Sequence, residues 1–386
     1  MNTDRNAGPL ERSLPTTWYR SAAIHRIEKE RIFCREWLAV CREEELPQAG
    51  DHLVLDVMGE SLLLVRNRDG RLRAFYNVCR HRGSRLCRAA GEKTAVGRVE
   101  LAGGVTAGRL IVCPYHRWSY DLNGALVAAP HLGGGTAFDK REFSLYPAAV
   151  DTWCGFVFLN LTPATARELS FQLGGVPERL QRYPLQGLRI GATRRYEVAA
   201  NWKIICENYN ECYHCSGIHP ELCAIVPAFR EAGGADLDWN RGVPHRDGAY
   251  TFTLRGTTSR RAFPSLNEDE RVRHKGELIY PNLFLSLACD HVAAFILRPR
   301  SAESTDILCH FLFETHEIEK PDFDPSDAVE FWDLVNRQDW TVCEAVQAGI
   351  GARVHDRGFF APMEDWNLDI RRYVTDRIAD HVPIEP

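Results

Sequence analysis

NVCRHRGSRLC at residues 77–87 and VCPYHRWSYDLNG at 112–124 decide how the first half of this 386-residue chain folds. Each carries a cysteine followed closely by a histidine: Cys79 with His81, and Cys113 with His116. The surrounding sequence has a period of two. DHLVLDV (51–57), SLLLVRN (61–67) and LRAFYNV (72–78) read as short strands, with Asp69-Gly70 as a hairpin turn and another hairpin at Asn123-Gly124. The two loops therefore belong to a small all-β module of residues 42–150.

Two thiols and two imidazoles can close a tetrahedral zinc site. They can also hold a Rieske-type [2Fe–2S] cluster, two cysteines on one iron and two histidines on the other. Classical zinc fingers take both cysteines from one loop and both histidines from another. Here each loop gives one of each, so each can reach both irons, and the order favours the cluster. Neutral imidazole in place of thiolate lowers the cluster's negative charge and raises its potential.

The rest of the composition narrows the field. A length of 386 residues suits two or three domains, and 45% apolar with 26% charged residues is globular. A net charge of −5 makes nucleic acid or anionic membrane an unexpected partner. No apolar run approaches the roughly 20 residues of a membrane span, and the N-terminus lacks the apolar core of a signal peptide, so a cytoplasmic location is expected. The 13 cysteines, an odd number without an export signal, argue for thiols rather than disulfides. Cys34, Cys41, Cys154, Cys289 and Cys309 sit in apolar stretches and read as buried small residues.

Residues 15–41 read as helical, and WCGFVFLNL from 153 as the start of a new domain. Residues 162–188 look helical and loop-like. LRIGATRRYEVAA, GAYTFTLRG, ELIYPNLFLSLA, HVAAFILRP and DILCHFLFE then suggest a large antiparallel sheet. One helix starts near Asn201. Another starts at Asp324-Pro325 and runs to about Gly349. The division expected is a helical segment 1–41, the β-module 42–150 and a domain 151–386.

NWKIICENYNECYHCSGIHP (201–220) holds His214 and His219. Five residues apart on an unbroken helix, they would point about 140° apart. Ser216-Gly217 and Pro220 supply a break that lets the helix end after His214 and His219 swing round. By itself His214 reads equally well as a residue near a helix C-terminus. On the later helix, Trp332, Val335, Val342 and Val346 form an apolar face, and Asp339 falls on it. A carboxylate there is costly unless paired with a buried arginine or bound to a metal. Two histidines and a carboxylate with open positions form the facial triad of non-haem iron oxygenases. Glu207, Glu211 and His214 share a stripe, on which Glu207 could simply be solvated and Glu211 could hydrogen-bond the imidazole. Glu211 and Asn208 are the candidate catalytic residues.

These residues, with LPTTWYRS, ERIFCREW and RQDWTVCEAVQ, resemble the α-subunits of Rieske non-haem iron oxygenases, the aromatic ring-hydroxylating dioxygenase superfamily, over nearly the whole chain. The resemblance implies a [2Fe–2S] cluster on Cys79, His81, Cys113 and His116, and a mononuclear Fe(II) on His214, His219 and Asp339. It implies an α+β fold in which a small all-β Rieske domain precedes a helix-grip catalytic domain of antiparallel sheet and helices. It also implies a homotrimer in which one subunit's cluster feeds the neighbour's iron, with electrons from NAD(P)H through a separate flavin or ferredoxin-type reductase. The acidic bridge between centres would be Glu211, where the superfamily usually has Asp. Glu in ECYHC, and YPNLFLSLACDHVAAF, are similar to the branch acting on glycine betaine, choline and carnitine. The 31 residues between His81 and Cys113 exceed the usual spacing, and the surplus falls in 90–108, a Gly-rich, hairpin-like insertion that reads as a passive surface loop.

The leading function is hydroxylation by O2 of a C–H bond next to nitrogen in a quaternary ammonium compound, leading to N-demethylation or C–N cleavage. The alternative is hydroxylation of an aromatic or alicyclic acid. An aromatic box of the kind Phe252, Tyr250, Tyr280, Phe284, Phe295 or Trp332 could build favours the cation; a lone arginine favours the acid. A plain electron carrier would leave His214, His219 and Asp339 unexplained. Arg80, Arg82, Arg85, Arg88 and Arg117 flank the cluster loops, either offsetting cluster charge or attracting an acidic reductase.

Overall fold

In the computed structural model, which describes residues 10–88, 104–106, 109–132, 138–235 and 237–382, the period-two stretches form the expected ladder. His52–Val57, Glu60–Arg66 and Leu72–Tyr76 pair antiparallel in sequence order. Their sheet continues through Pro147–Trp153 and Phe156–Asn160 to Leu38–Arg42. A second sheet joins Gly104–Thr106, Leu110–Val112, Ser119–Asp121 and Leu126–Ala128. Leu63, Val65, Phe75, Ile111, Trp118 and Tyr120 fill the core between them. Gly124 is needed in the second hairpin: its φ is +86°, and a Cβ there would meet the Phe75 ring at 2.5 Å.

These strands belong to a compact unit of Phe33–Gln172, wider than the 42–150 read from sequence. The N-terminal helical reading stops early: Thr16–Arg20 and Ala22–Glu28 are α-helical and Lys29–Phe33 is a π-turn, but Leu38–Arg42 is a strand. It pairs with Phe156–Asn160, so WCGFVFLNL completes this sheet and does not open the next domain. Both strands are buried at every position, so neither shows the alternation that would identify it. The proposed insertion lies mostly outside the described residues; within them, Gly104–Thr106 pairs with Leu110–Val112.

The second unit takes the segment up to Ile32 and everything from Leu173. Its sheet runs Leu188–Val198, Ser304–Glu314, Val292–Ser301, Leu283–Leu287, Arg273–Ile279, Val243–Pro244, all antiparallel. ELIYPNLFLSLA is two strands turned at Tyr280-Pro281-Asn282, not one. GAYTFTLRG is no strand: its backbone closes on itself, Tyr250 N–H donating to Gly256 O at 2.8 Å. The Thr253 hydroxyl donates to Thr257 O at 2.8 Å, and the Thr251 hydroxyl to Asp290. These threonine bonds compete with sheet pairing in a stretch whose alternation suggested a strand.

Two helices position the chemistry. Trp202–Tyr209 starts on Asn201, whose side chain accepts from Lys203 N–H at 3.0 Å. Ser326–Gly349 starts where expected, with Asp324 accepting from Ser326 N–H at 2.9 Å. The N-terminal segment packs on the first helix through a buried ion pair, Glu28 with Lys203 at 2.5 Å, both fully buried, and Trp202 Nε1 donates to the same carboxylate at 3.0 Å. No helix among the described residues is long and apolar enough to cross a membrane.

Candidate metal centres and the adjoining cavity

The loops of the smaller unit are tight. Cys79 N–H donates to Ser84 O at 2.8 Å and Gly83 N–H to Cys79 O at 3.0 Å; in the other loop Cys113 N–H donates to Trp118 O at 2.8 Å. Each turn sets its cysteine at the base and its histidine near the tip. Cys79 and Cys113 are 3% and 1% exposed, whereas His81 is exposed and His116 half-buried. The two Nδ1 atoms face each other at 3.2 Å, and His81 stacks on Trp118 with centroids 4.9 Å apart. Tyr120 Oη lies 3.3 Å from Cys79 Sγ. The Cys79 thiol hydrogen-bonds the Cys113 sulfur, which pulls the Cys113 thiol well below the usual range and pushes Cys79 up. Two sulfurs beneath and two imidazole nitrogens above are donors for two metals side by side, which fits a [2Fe–2S] cluster better than one tetrahedral zinc. Of the flanking arginines, Arg80 is engaged by Glu142 O at 3.1 Å and by Ser144 O, while Arg82, Arg85, Arg88 and Arg117 are exposed.

In the larger unit the helix breaks earlier than the sequence suggests. It ends at Tyr209, five residues before His214, with Asn210 N–H bonded to Cys206 O and Glu207 O. Glu211 then organises a turn, its Oε2 accepting from the backbone N–H of His214 at 3.2 Å and from that of Tyr213. Glu211 and His214 thus meet across a turn and not along one helix face. Oε1 of Glu211 accepts from His214 Nδ1 at 2.5 Å. That fixes the ring proton on Nδ1 and turns the Nε2 lone pair to Asp339 Oδ1, 3.2 Å away. His219, 1% exposed, does the same with another partner: Nδ1 lies 2.8 Å from Gln338 Oε1 and Nε2 2.9 Å from Asp339 Oδ1.

His214 Nε2 and His219 Nε2 are 3.2 Å apart. Two nitrogen lone pairs and a carboxylate oxygen facing one another at such distances repel unless a cation lies among them. Burial works against charging His214, but its bonds to Asp339 and Glu211 more than offset this and raise its pKa to about 10. Burial likewise opposes the Asp339 charge, and the two histidines hold its carboxyl below the usual range. Without a metal that cation is a proton; a divalent iron would displace it from Nε2 and leave the Nδ1 proton bonded to Glu211. Asn208 Nδ2 is 3.4 Å from His214 Nε2, so it too borders the site. Glu207 is not on a solvated face: it is half-buried and accepts from Tyr19 Oη at 2.6 Å.

Asp339 sits on the inner face of its helix, but that face continues differently from the sequence reading. Trp332, Val335, Cys343 and Gln347 are buried, while Val346 is 48% exposed. Cys212 and Cys215, expected as thiols, are joined by a disulfide; the turn brings their Cα atoms to 4.9 Å. Cys215 is also close to the histidine nitrogens, with its sulfur 4.0 Å from His214 Nε2, but Asp339 is nearer to both rings.

A cavity of about 260 Å³ opens onto His214, His219 and Asp339. Phe252, Tyr280 and Trp332 line it as anticipated, joined by Phe229, Trp239 and Tyr209. Tyr250 is turned away, donating to Thr258 O at 2.6 Å, and Phe284 and Phe295 pack behind Tyr209. Phe229 and Trp239 stack at 6.1 Å; Phe252 and Trp332 meet edge-on at 5.5 Å. Arg179, also in the wall, is held by Glu277 through two bonds of 3.0 and 2.5 Å. The sequence reading missed Gln338, whose only signal was its place beside Asp339 in RQDW. It also missed Phe229 and Trp239, on a six-residue helix and a loop that no periodicity tied to the site.

Comparison with known proteins identifies both domains. Residues 185–380 match the family model for the ring hydroxylating alpha subunit (catalytic domain), and 36–143 match that for the Rieske [2Fe-2S] domain. The chain is 30% identical to the glycine betaine monooxygenase oxygenase subunit of Pseudomonas aeruginosa, covering 92% of this chain and 86% of that protein. It is 31% identical to the carnitine monooxygenase oxygenase subunit of Acinetobacter baumannii, covering 88% and 86%. The crystal structure of the quaternary ammonium Rieske monooxygenase CntA with L-carnitine superposes with a TM-score of 0.72 at 26% identity, covering 95% of this chain and 96% of that one.

Proposed function

Because this chain belongs to the ring-hydroxylating α-subunit family and is a Rieske oxygenase, we propose that it hydroxylates a C–H bond next to the nitrogen of a quaternary ammonium substrate, which leads to N-demethylation or C–N cleavage. The observation that carries the reading is the cavity wall. Its aromatic faces suit a cation, and its arginine is already neutralised by Glu277 and so is poorly available to a substrate acid. The relatives named for glycine betaine and carnitine point the same way.

In this proposal Cys79, His81, Cys113 and His116 hold the [2Fe–2S] cluster, and His214, His219 and Asp339 hold the single iron. When bound, these groups supply the redox chemistry, passing reductase electrons inward and activating O2. The remaining work belongs to side chains. Trp332, Phe252, Phe229 and Trp239 hold the ammonium by its charge and exclude water from beside His214. Glu211 keeps the His214 proton on Nδ1, and Gln338 keeps that of His219 on its Nδ1, so both Nε2 atoms stay free as ligands. Asn208, beside His214 Nε2, offers an amide to whatever occupies that space.

The subunits assemble as a homotrimer in the cytoplasm, where Glu211 reaches a neighbouring subunit's His116 and carries the electron between centres. The structure of a quaternary ammonium Rieske monooxygenase, 25% identical to this chain, has been described as giving insight into inter-subunit electron transfer. The exposed arginines around the cluster loops give the reductase its docking face. The deciding experiment is O2 uptake with a compatible reductase across quaternary ammonium compounds and aromatic acids, with aldehyde product measured alongside. Coupled uptake with an ammonium compound is expected; coupling only to an aromatic acid refutes the substrate class.

A further inference from the structure

One polar side chain in the cavity wall serves neither metal centre. His274, on the strand Arg273–Ile279, is 8% exposed and lines the cavity. Its ring lies 4.2 Å from the Phe252 centroid and 6.0 Å from that of Trp332, among the faces assigned to the ammonium. Its Nδ1 is buried without a hydrogen-bond partner. A sealed Nδ1 cannot meet a ligand, so Nε2 is the nitrogen through which this ring addresses the cavity it lines. Burial, with His245 and His291 nearby, keeps the ring neutral, so it carries a single proton. A buried N–H without an acceptor is rarer than a buried acceptor without a donor. The proton therefore belongs on Nε2 and leaves the sealed Nδ1 as a bare lone pair.

We propose that Nε2–H of His274 donates to an oxygen acceptor of the substrate, at the end away from its quaternary nitrogen, and so selects among ammonium compounds. The inference rests on the ammonium reading. A neutral imidazole suits the task, because it offers a donor without repelling the adjacent cation as lysine or arginine would. Arg179, the charged donor in the same wall, is already occupied by Glu277. His274 acts on binding and position, with no part in holding the iron.

The test is calorimetric titration of metal-loaded, unreduced enzyme with three ligands: glycine betaine with a carboxylate, choline with a hydroxyl, and tetramethylammonium with neither. His274→Phe should weaken one or both oxygen-bearing ligands by about 10- to 100-fold, the loss expected when a buried hydrogen bond is removed. Tetramethylammonium should change by less than about threefold, and His274→Gln, which keeps an N–H, should recover most of the loss. Loss confined to glycine betaine identifies a carboxylate partner; loss confined to choline, a hydroxyl. Equal loss for all three ligands, no loss for any, or a Gln variant as weak as Phe overturns the role of His274. Wild-type enzyme that binds none of the three overturns the ammonium reading and this inference with it.

Discussion

Replacing Glu211 with Gln isolates the charge that His214 leans on. Glu211 makes three bonds from two oxygens: one to the imidazole at 2.5 Å, one to the His214 amide at 3.2 Å and one to the Tyr213 amide. Gln has a single oxygen and can serve the ring or the amides, but not both. Either choice sets an NH2 group against an N–H. A hydrogen bond to a charged group contributes about 1.5–3 kcal/mol, roughly 10- to 150-fold in any equilibrium or rate that needs the bond. Both centres should stay loaded in Glu211→Gln when iron is supplied in excess, while turnover falls by a factor in that range. Glu211→Asp keeps the charge but withdraws the carboxylate by about 1.5 Å, opening the 2.5 Å contact beyond hydrogen-bond reach unless the turn moves, so recovery should be partial. The assay is iron and labile sulfide content beside single-turnover oxidation of the reduced cluster with substrate and O2, followed by absorbance. A Gln variant that loses its mononuclear iron makes Glu211 a ligand or a folding residue. An unchanged oxidation rate removes it from the electron path.

Asp339→Ala should abolish mononuclear iron and oxygenation yet keep the cluster's visible spectrum; near-normal turnover would show that the ligand set is wrong. Gln338→Leu, which frees the His219 Nδ1, should weaken iron affinity by about 10- to 100-fold in chelator competition and leave the cluster untouched, and equal loss of both metals would contradict that. Burial raises the Glu207 carboxyl to about 7, with Tyr19 and Lys203 opposing. The unfolded chain then binds fewer protons than the native one between pH 4.5 and about 7, so this group's contribution to stability falls as pH rises through that window. Glu207→Gln should therefore gain melting temperature relative to wild type at pH 8 compared with pH 5, and an identical difference at both pH values refutes the assignment. Reduction of the cluster by its reductase should slow steeply with added salt if Arg82, Arg85, Arg88 and Arg117 steer docking, whereas an insensitive rate argues for a role confined to offsetting cluster charge.

What could be read from the sequence depended on whether the signal was local. Cys79 with His81 and Cys113 with His116 were legible as pairs because each pair lies within a few residues of one loop, the second between the paired strands Leu110–Val112 and Ser119–Asp121. His214, His219 and Asp339 were legible because a broken helix and a carboxylate on a buried face are both anomalies that call for a partner. The position of the break was not legible, since it depends on Glu211 capping the amides of its own turn, which no propensity scale encodes. Leu38–Arg42 was lost to the helical pattern before it because a strand buried on both faces has no alternation to show. Gln338, Phe229 and Trp239 owe their roles to long-range packing. An isolated aromatic residue in a loop carries no mark of the cavity it will face.

The Glu28–Lys203 pair has a consequence for how the molecule must be made. The unit with the single-iron residues draws on chain from before Phe33 and after Gln172, with the other unit spliced between. On the ribosome the spliced unit is complete once residue 172 has emerged, while Glu28 must wait for a partner 175 residues further on. Until then the Glu28 carboxylate and the apolar side of its helix have nothing to dock on. Nascent chains arrested between these points should hold a protease-resistant inner unit flanked by a cleavable leader, and that leader is a natural client for chaperones.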